Sequence, residues 1–439
     1  MENNKDSYQW RESSFKAIIP FIVFIFFYFG FSLWIKDFSK VPMTIAFIVA
    51  SATALILHHK EKLNKKIELF AMGMGNKDIM IMCLIFILAG AFTASAQAIG
   101  GVQSAVNIAQ HFIPAKFMVF GLFLISAFIS LSIGTSCGTI TAIIPIAVSI
   151  SQTIGINPSF VLGATVGGAM FGDNLSLISD TSIAASRTQN INMKDKLLCN
   201  LKIIIIPAIL CAILYVLPIF SSSGSIVAEG NLTFDNYIKI MPYLFLLVLG
   251  IFGINVVFLL ILGTVFNIFI GLIYGIFNIF DAFSYIGNGT ISMAETLIVA
   301  MLAGGLLFLV RYNGGITYIM RTTSHWIKSK KTCEIGICFL TGMVNLFTAN
   351  NTVAIITSGS IVKELSNKYG VEPARAASLM DTTSCVVQGV IPYGAQILIA
   401  TGLAASIGAS PFTVIKGTFY PVFMILGLIF SISKIKNKV

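Results

Sequence analysis

GGAMFGDNLSLISDT, residues 167–181, sets two carboxylates inside an apolar segment that begins near Phe160. Asp173 and Asp180 are accompanied by Asn174, Ser176, Ser179 and Thr181, all short side chains with an oxygen to offer. Charged groups at membrane depth cost a few kcal/mol even on insertion scales, so they are rare there and tend to be functional. Glycines at 167, 168 and 172 are expected to weaken the helix just before the first acid. A broken helix with free backbone groups and hard oxygen ligands is a recurrent way to build an ion site within a bilayer.

The rest of the chain supports a membrane setting. Of its 439 residues, 56% are hydrophobic and 10% charged, with 36 phenylalanines, whereas a soluble domain carries about 25% charged residues. The mean hydropathy is +0.90. The length suits a polytopic all-α protein of about ten spans of ~20 residues each. The segment after Lys16 is too long and aromatic for a cleaved signal, and no A-x-A-like site follows it, so it is expected to be the first span. The net charge of +10 sits in short loops and reads as topological rather than as a nucleic-acid surface. Cysteines 83, 137, 199, 211, 333, 338 and 385 lack metal-site spacing, and reduced thiols are expected. The four histidines are scattered, and no Walker A sequence is present. With no nucleophile–base constellation and no cofactor motif, neither an enzyme nor a bound cofactor is expected.

An internal repeat organises the apolar segments. ILAGAFTASAQAIGG (87–101) aligns with MLAGGLLFLVRYNGG (301–315), pairing Gly100-Gly101 with Gly314-Gly315. The same offset puts GTSCGT (134–139) on TANNTV (348–353), and one inserted residue then puts Asp173 on Gln388. Two similar halves are a transporter signature. Reading 116–152 and 334–362 as re-entrant hairpins leaves five crossings per half, and an odd number inverts the second half. The expected layout is an N-terminal repeat over 1–220, an extracytoplasmic loop over 221–239 and an inverted C-terminal repeat over 240–439, with broken helices at the midplane. With both termini in the cytoplasm, only Lys36, Lys40, Lys116, Lys239 and Lys416 of the 28 basic residues fall outside. Lys66 and Lys196 then belong to cytoplasmic segments, and no obvious buried Arg or Lys is expected in the spans.

The hairpin tips carry Thr135, Ser136 and Thr139 in the first half and Asn350, Asn351 and Thr352 in the second. Helix ends at such tips leave backbone groups free to meet a ligand. Beyond each tip a broken span adds more polar groups: the Asp173–Thr181 set in half one, and Asp381, Thr382, Thr383, Gln388, Tyr393 and Gln396 in half two. Gly389 and Pro392-Tyr393-Gly394 mark the second break. Inversion would bring the two sets together. Burial disfavours the charged form of a carboxylate and a bound cation favours it, so Na⁺ held by Asp173 and Asp180, competing with H⁺, is the simplest exchange chemistry. Bland readings stay open: Asp180 could cap the helix after the break or pair with Arg187, Asp381 could pair with Arg375, and the tips could be plain turns.

At these residues the chain resembles the NhaC-type sodium/proton antiporter family. GTSCGTITAIIPIA and GGAMFGDNLSLISDTSIAASRTQ carry the likeness in the first half. FTANNTVAI and RAASLMDTTSCVVQGVIPYGAQILIA carry it in the second, and it covers roughly residues 80–410. The resemblance implies the ion-transporter superfamily architecture and sodium export coupled to proton entry, with Asp173 and Asp180 as motif acids. Leu177 departs from the family's GD-x-x-SP-x-SDT form, which leaves uptake of an amino acid or small organic acid open beside ion exchange. The expected setting is the inner membrane, with the lipid bilayer, Na⁺ and H⁺ as partners, a small organic substrate under the second reading, no nucleic acid, and a homodimer. A passive channel ranks last, because paired broken helices favour alternating access.

Overall fold

The computed structural model describes residues 12–35, 40–57, 62–176, 179–217, 233–252 and 254–433. Leu177, the loop expected over 221–239 as far as residue 232, and the terminal basic residues Lys5, Arg11, Lys434, Lys436 and Lys438 lie outside the described residues.

Among the described residues every regular element is helical. The first half runs α1 (Ile19–Ile35), α2 (Met43–Ile56), α3 (Leu63–Met74), α4 (Lys77–Ala98), α5 (Gly101–Phe112), α6 (Met118–Ile133), α7 (Ser136–Ile154), α8 (Pro158–Leu175), α9 (Asp180–Gln189) and α10 (Met193–Val216). The second runs α11 (Phe234–Ile251), α12 (Val256–Ile273), α13 (Ile279–Ser292), α14 (Ala294–Tyr312), α15 (Gly315–His325), α16 (Lys330–Thr348), α17 (Asn351–Tyr369), α18 (Pro373–Val390), α19 (Ala395–Leu403), α20 (Pro411–Gly417) and α21 (Phe419–Ser433). The helix order recurs. The first residues of α7 and α17, α8 and α18, and α9 and α19 are each 215 positions apart. The left-handed residues recur with them: Gly134 and Ala349 end α6 and α16, and Gly155 and Gly370 end α7 and α17. Pro158 and Pro373 open α8 and α18, a position that lacks a helical partner for N–H in any case.

The chain is a polytopic all-α membrane protein. Trp34 is 79% exposed and Phe280 77%, and both lie among many exposed Ile, Leu and Phe side chains that water would not tolerate on this scale. Among the described residues eight helices are long and apolar enough to cross a bilayer, or nine if α20 and α21, bent by 52° at their junction, count as one span. That is fewer than the ten expected. At 14 residues α2 reaches only about 21 Å, short of a hydrocarbon core of ~30 Å. Conversely α7, expected as a hairpin arm, is among the eight.

The chain folds into two compact units, residues 1–80 with 298–327 and residues 81–297 with 328–439. In the first, Phe24 of α1 packs on Phe47 of α2 with ring centroids 4.3 Å apart. Lys66, expected in a cytoplasmic segment, is instead buried and donates to the carbonyls of Leu55 and Leu57, both at 2.7 Å. It closes the C-terminus of α2, where a cation suits both the orphan carbonyls and the helix dipole.

The second unit holds all of the polar groups singled out in the sequence. Its centre is α8, which lies against α6, α7 and α20. The glycines at 167, 168 and 172 do not interrupt α8, which runs on to Leu175. A side chain at Gly168 would run into the carbonyl of Phe123, and one at Gly172 into that of Ala127. These glycines therefore let two helix backbones touch, the small-xxx-small solution of membrane packing. Gly172→Ala is expected to destabilise the protein by about 1–3 kcal/mol through overpacking, read as a lower thermal midpoint in detergent. Gly30→Ala, where nothing lies within 4 Å, should cause no loss.

Candidate ion-binding site

Two helical hairpins aim their tips at the two helix breaks. In the first, α6 ends at Gly134, whose φ of 76° suits glycine, and Thr135 caps α7 by accepting from Gly138 N–H at 3.4 Å. In the second, Ala349 takes the left-handed turn at φ 48°, and Asn350 caps α17 by accepting from Val353 N–H at 3.0 Å. A non-glycine residue there is strained. The breaks follow α8 and α18: Ser176 and Ser179 are extended between α8 and α9, and residues 391–394 separate α18 from α19.

Asp173 lies in the last turn of α8 and is buried. Ser136, the first residue of α7, donates to its Oδ2 at 2.7 Å. Gln396, in the first turn of α19, donates through Nε2 to Ser136 Oγ at 3.0 Å. Asp173 Oδ1 and Gln396 Oε1 are both buried without a hydrogen-bond partner. Buried oxygens left unsatisfied on either side of one hydroxyl call for an explanation, and hard oxygen donors from a carboxylate and an amide fit a hydrated or partly dehydrated alkali cation. Among the described residues, no group of three or more His, Cys, Asp and Glu is placed to hold a metal ion, so a cation here would rely on neutral oxygens besides the single carboxylate.

The second half answers with a reciprocal contact. Asp180, exposed at the start of α9, accepts from Thr352 Oγ1 of the second hairpin at 3.0 Å and from Thr181 N–H at 3.1 Å. Thus α19 reaches the first hairpin and α9 reaches the second. Asp180 does not turn back to Arg187. Asp173 lies in the last turn of α8 and Asp180 begins α9, so the two acids occupy different helices in different surroundings.

Most of the other expected residues bond to backbone groups or to one another. Ser176 donates to Leu131 O at 2.9 Å, and Tyr393 to Leu346 O at 2.8 Å, so matching residues of the two hairpins are tied by matching breaks. Gln388 donates to Ala349 O at 2.9 Å and holds the strained turn. Thr139 bonds within its own helix, to Thr135 O at 3.0 Å, and Ser179 pairs with Thr181 at 3.0 Å. Asn351 accepts from Asn345, which also donates to Ser384 O at 2.7 Å. Thr382 and Thr383 are buried along α18.

Asp381 does not take the alternative pairing with Arg375. Arg375 pairs with Glu334 at 2.8 Å, and Asp381 pairs instead with Lys196. Lys196, expected in a cytoplasmic segment, is 1% exposed within α10. Asn200, one turn further on, donates to Asp381 Oδ2 at 2.9 Å and to Asn174 Oδ1 at 2.6 Å, and Ser378 donates to Asn200 Oδ1 at 2.5 Å. Lys196, Asn200, Ser378 and Asn345 escaped the sequence reading. Lys196 and Asn200 stand four apart on one helical face, a signal masked by the neighbouring Lys194 and Lys202.

A family model described as the Na⁺/H⁺ antiporter family matches residues 9–218 and 229–435. The chain belongs to that family. The match bears out the expected NhaC-type resemblance and makes the protein an antiporter-type membrane transporter. The Na(+)/H(+) antiporter NhaC of Bacillus subtilis is 22% identical, with 87% of this chain and 89% of that protein covered. The malate-2H(+)/Na(+)-lactate antiporter of the same organism is 20% identical over 91% of this chain and 90% of its own length. The arginine/ornithine antiporter ArcD of Halobacterium salinarum is 24% identical over 77% of each. The solved YdaH transporter of Alcanivorax borkumensis is 14% identical, covering 94% of this chain and 97% of its own at a TM-score of 0.43.

Ser136→Ala removes a donor to a buried carboxylate and leaves Gln396 Nε2 unpaired. A loss of about 1–3 kcal/mol is expected, measured as a lower thermal midpoint in detergent; an unchanged midpoint would show that Asp173 is held by other means.

Proposed function

We propose that the chain exchanges cytoplasmic Na⁺ for external H⁺ by alternating access, with Asp173 as the group that carries either ion. The observation that carries this reading is the pair of buried, unpartnered oxygens, Asp173 Oδ1 and Gln396 Oε1, on either side of Ser136. A carboxylate away from water is neutralised by a proton or by a cation, and occupancy by one excludes the other. Asn174, Ser176, Ser179, Asp180, Thr181, Thr135 and Thr139 belong to the same ion path in the first half. Asn350, Asn351, Thr352, Asp381, Thr382, Thr383, Gln388 and Tyr393 form its counterpart in the second. Asp180, exposed and tied to Thr352, stands at the mouth of the path. The halves, 1–220 and 240–439, are inverted with respect to each other, and the two hairpins are re-entrant. Residues 221–239 lie outside, both termini face the cytoplasm, and the protein works in the inner membrane as a homodimer.

The activities for which the malate/lactate and arginine/ornithine relatives are named favour a second reading, coupled transport of an amino acid or small organic acid. Lys196 supplies the buried cation that such an anionic substrate would seek. It is already engaged by Asp381, however, and offers no free charge. Ion exchange therefore ranks first.

The test is dye-monitored proton flux in proteoliposomes. Addition of Na⁺ or Li⁺ is expected to drive proton movement, and Asp173→Asn to abolish it. Lowering the pH should raise the Na⁺ concentration needed for half-maximal exchange, because protons compete for the same carboxylate. Exchange that survives Asp173→Asn would overturn this reading. Silence towards every alkali cation, together with gradient-driven uptake of a labelled carboxylate or amino acid, would install the second.

A further inference from the structure

The Lys196 ammonium sits in a ligand set with an unusual composition for a salt bridge. It pairs with Asp381 Oδ2, donates to Ser182 Oγ at 2.7 Å, and donates to the carbonyl of Asn174 at 3.3 Å. Asn174 is the penultimate residue of α8, so that carbonyl has no helical partner beyond the break. All three N–H bonds of the ammonium are thereby used. A carboxylate oxygen, a hydroxyl oxygen and a helix-end carbonyl are also the donors that hold hard monovalent cations where helices break in membranes. Asn200 braces the set, donating to Asp381 Oδ2, to Asn174 O at 3.0 Å and to Asn174 Oδ1, while Ser378 fixes its other end. Asp381 and Asp173 thus mark two cation positions beside the same helix end. One is filled by the chain's own ammonium, and the other has an unpartnered carboxylate oxygen.

We infer that Lys196 is a resident cation occupying a site otherwise built for an alkali ion, so that removing its ammonium opens a second Na⁺ site at Asp381, Ser182 and the Asn174 carbonyl. The inference stands on this geometry; only the statement that Asp173 is left as the exchangeable position rests on the function proposed above. Covalent tethering explains why the occupant does not exchange: the ammonium cannot leave α10. The pair adds no net charge to the interior.

The experiment uses the full-length protein in detergent in an Asp173→Asn background, which silences the first position. Thermal midpoints are compared in sodium chloride and in choline chloride at equal ionic strength. Lys196→Ala is expected to lower the midpoint in choline and to regain it saturably with Na⁺. The Asp173→Asn parent and the Lys196→Ala/Asp381→Asn combination should show no Na⁺-specific gain. Equal midpoints of Lys196→Ala in the two salts, or an equal gain after Asp381→Asn, overturns the inference. Lys196→Gln, which keeps donors and drops the charge, serves where Lys196→Ala yields no folded protein: the same Na⁺-specific gain supports the inference, and its absence overturns it. A Na⁺ shift in the native chain without one in the Lys196 variants overturns the resident cation alone. A missing shift in the native chain bears on Asp173 alone.

Discussion

In a bilayer every broken helix leaves carbonyls that water cannot reach, and the organisation of this site follows from how those carbonyls are answered. Chain ends at α8 and α6 meet Lys196, Asn200 and Ser176. Those at α16 and its turn meet Tyr393 and Gln388. Each donor arrives from an element other than the one whose carbonyl it meets, so the breaks are possible only because the surrounding elements are already in place. The interruption of the helices and the long-range order of the side chains are two sides of one requirement.

The halves answer that requirement in the same pattern with different chemistry. Ser176 and Tyr393 bond to carbonyls at matching places in the two hairpins, though one is a small hydroxyl and the other a long phenol. Asp173 and Gln388 occupy matching places near the breaks, but the first faces a serine and the second steadies a strained turn. The consequence is that the first half places a carboxylate at a position where the second half places an amide. The pattern supplies the frame, and the departures from it set which side chains each half presents at its break.

Much of this was legible in the sequence because it depends on residue type at a fixed place in a helix. The Gly134-Thr135 turn, the Asn350 cap and the break after Val390 follow from capping and helix-breaking rules. Glycines were legible as special but not as to purpose: their spacing fits a weakened helix as well as a close crossing, and only the neighbouring backbone distinguishes the two. Lys66 and Lys196 were misplaced for a related reason. A lysine at the edge of an apolar segment scores as topogenic, whereas its partner, a helix end or Asp381, lies far away in the chain or on another element. Charge counting registers where a residue sits along the sequence and is blind to what the fold brings against it.

The glycine contacts of α8 have a mechanical side. Gly168 and Gly172 bring its backbone against α6, and Gly163 brings it against Gly417 of α20. Helices that touch main chain to main chain have no cushion of side chains to shear, so α6, α8 and α20 behave as one strut. Asp173 rides on that strut. In the alternating access proposed above, the movement that opens a route to the carboxylate would then lie at the strut's edges rather than within it.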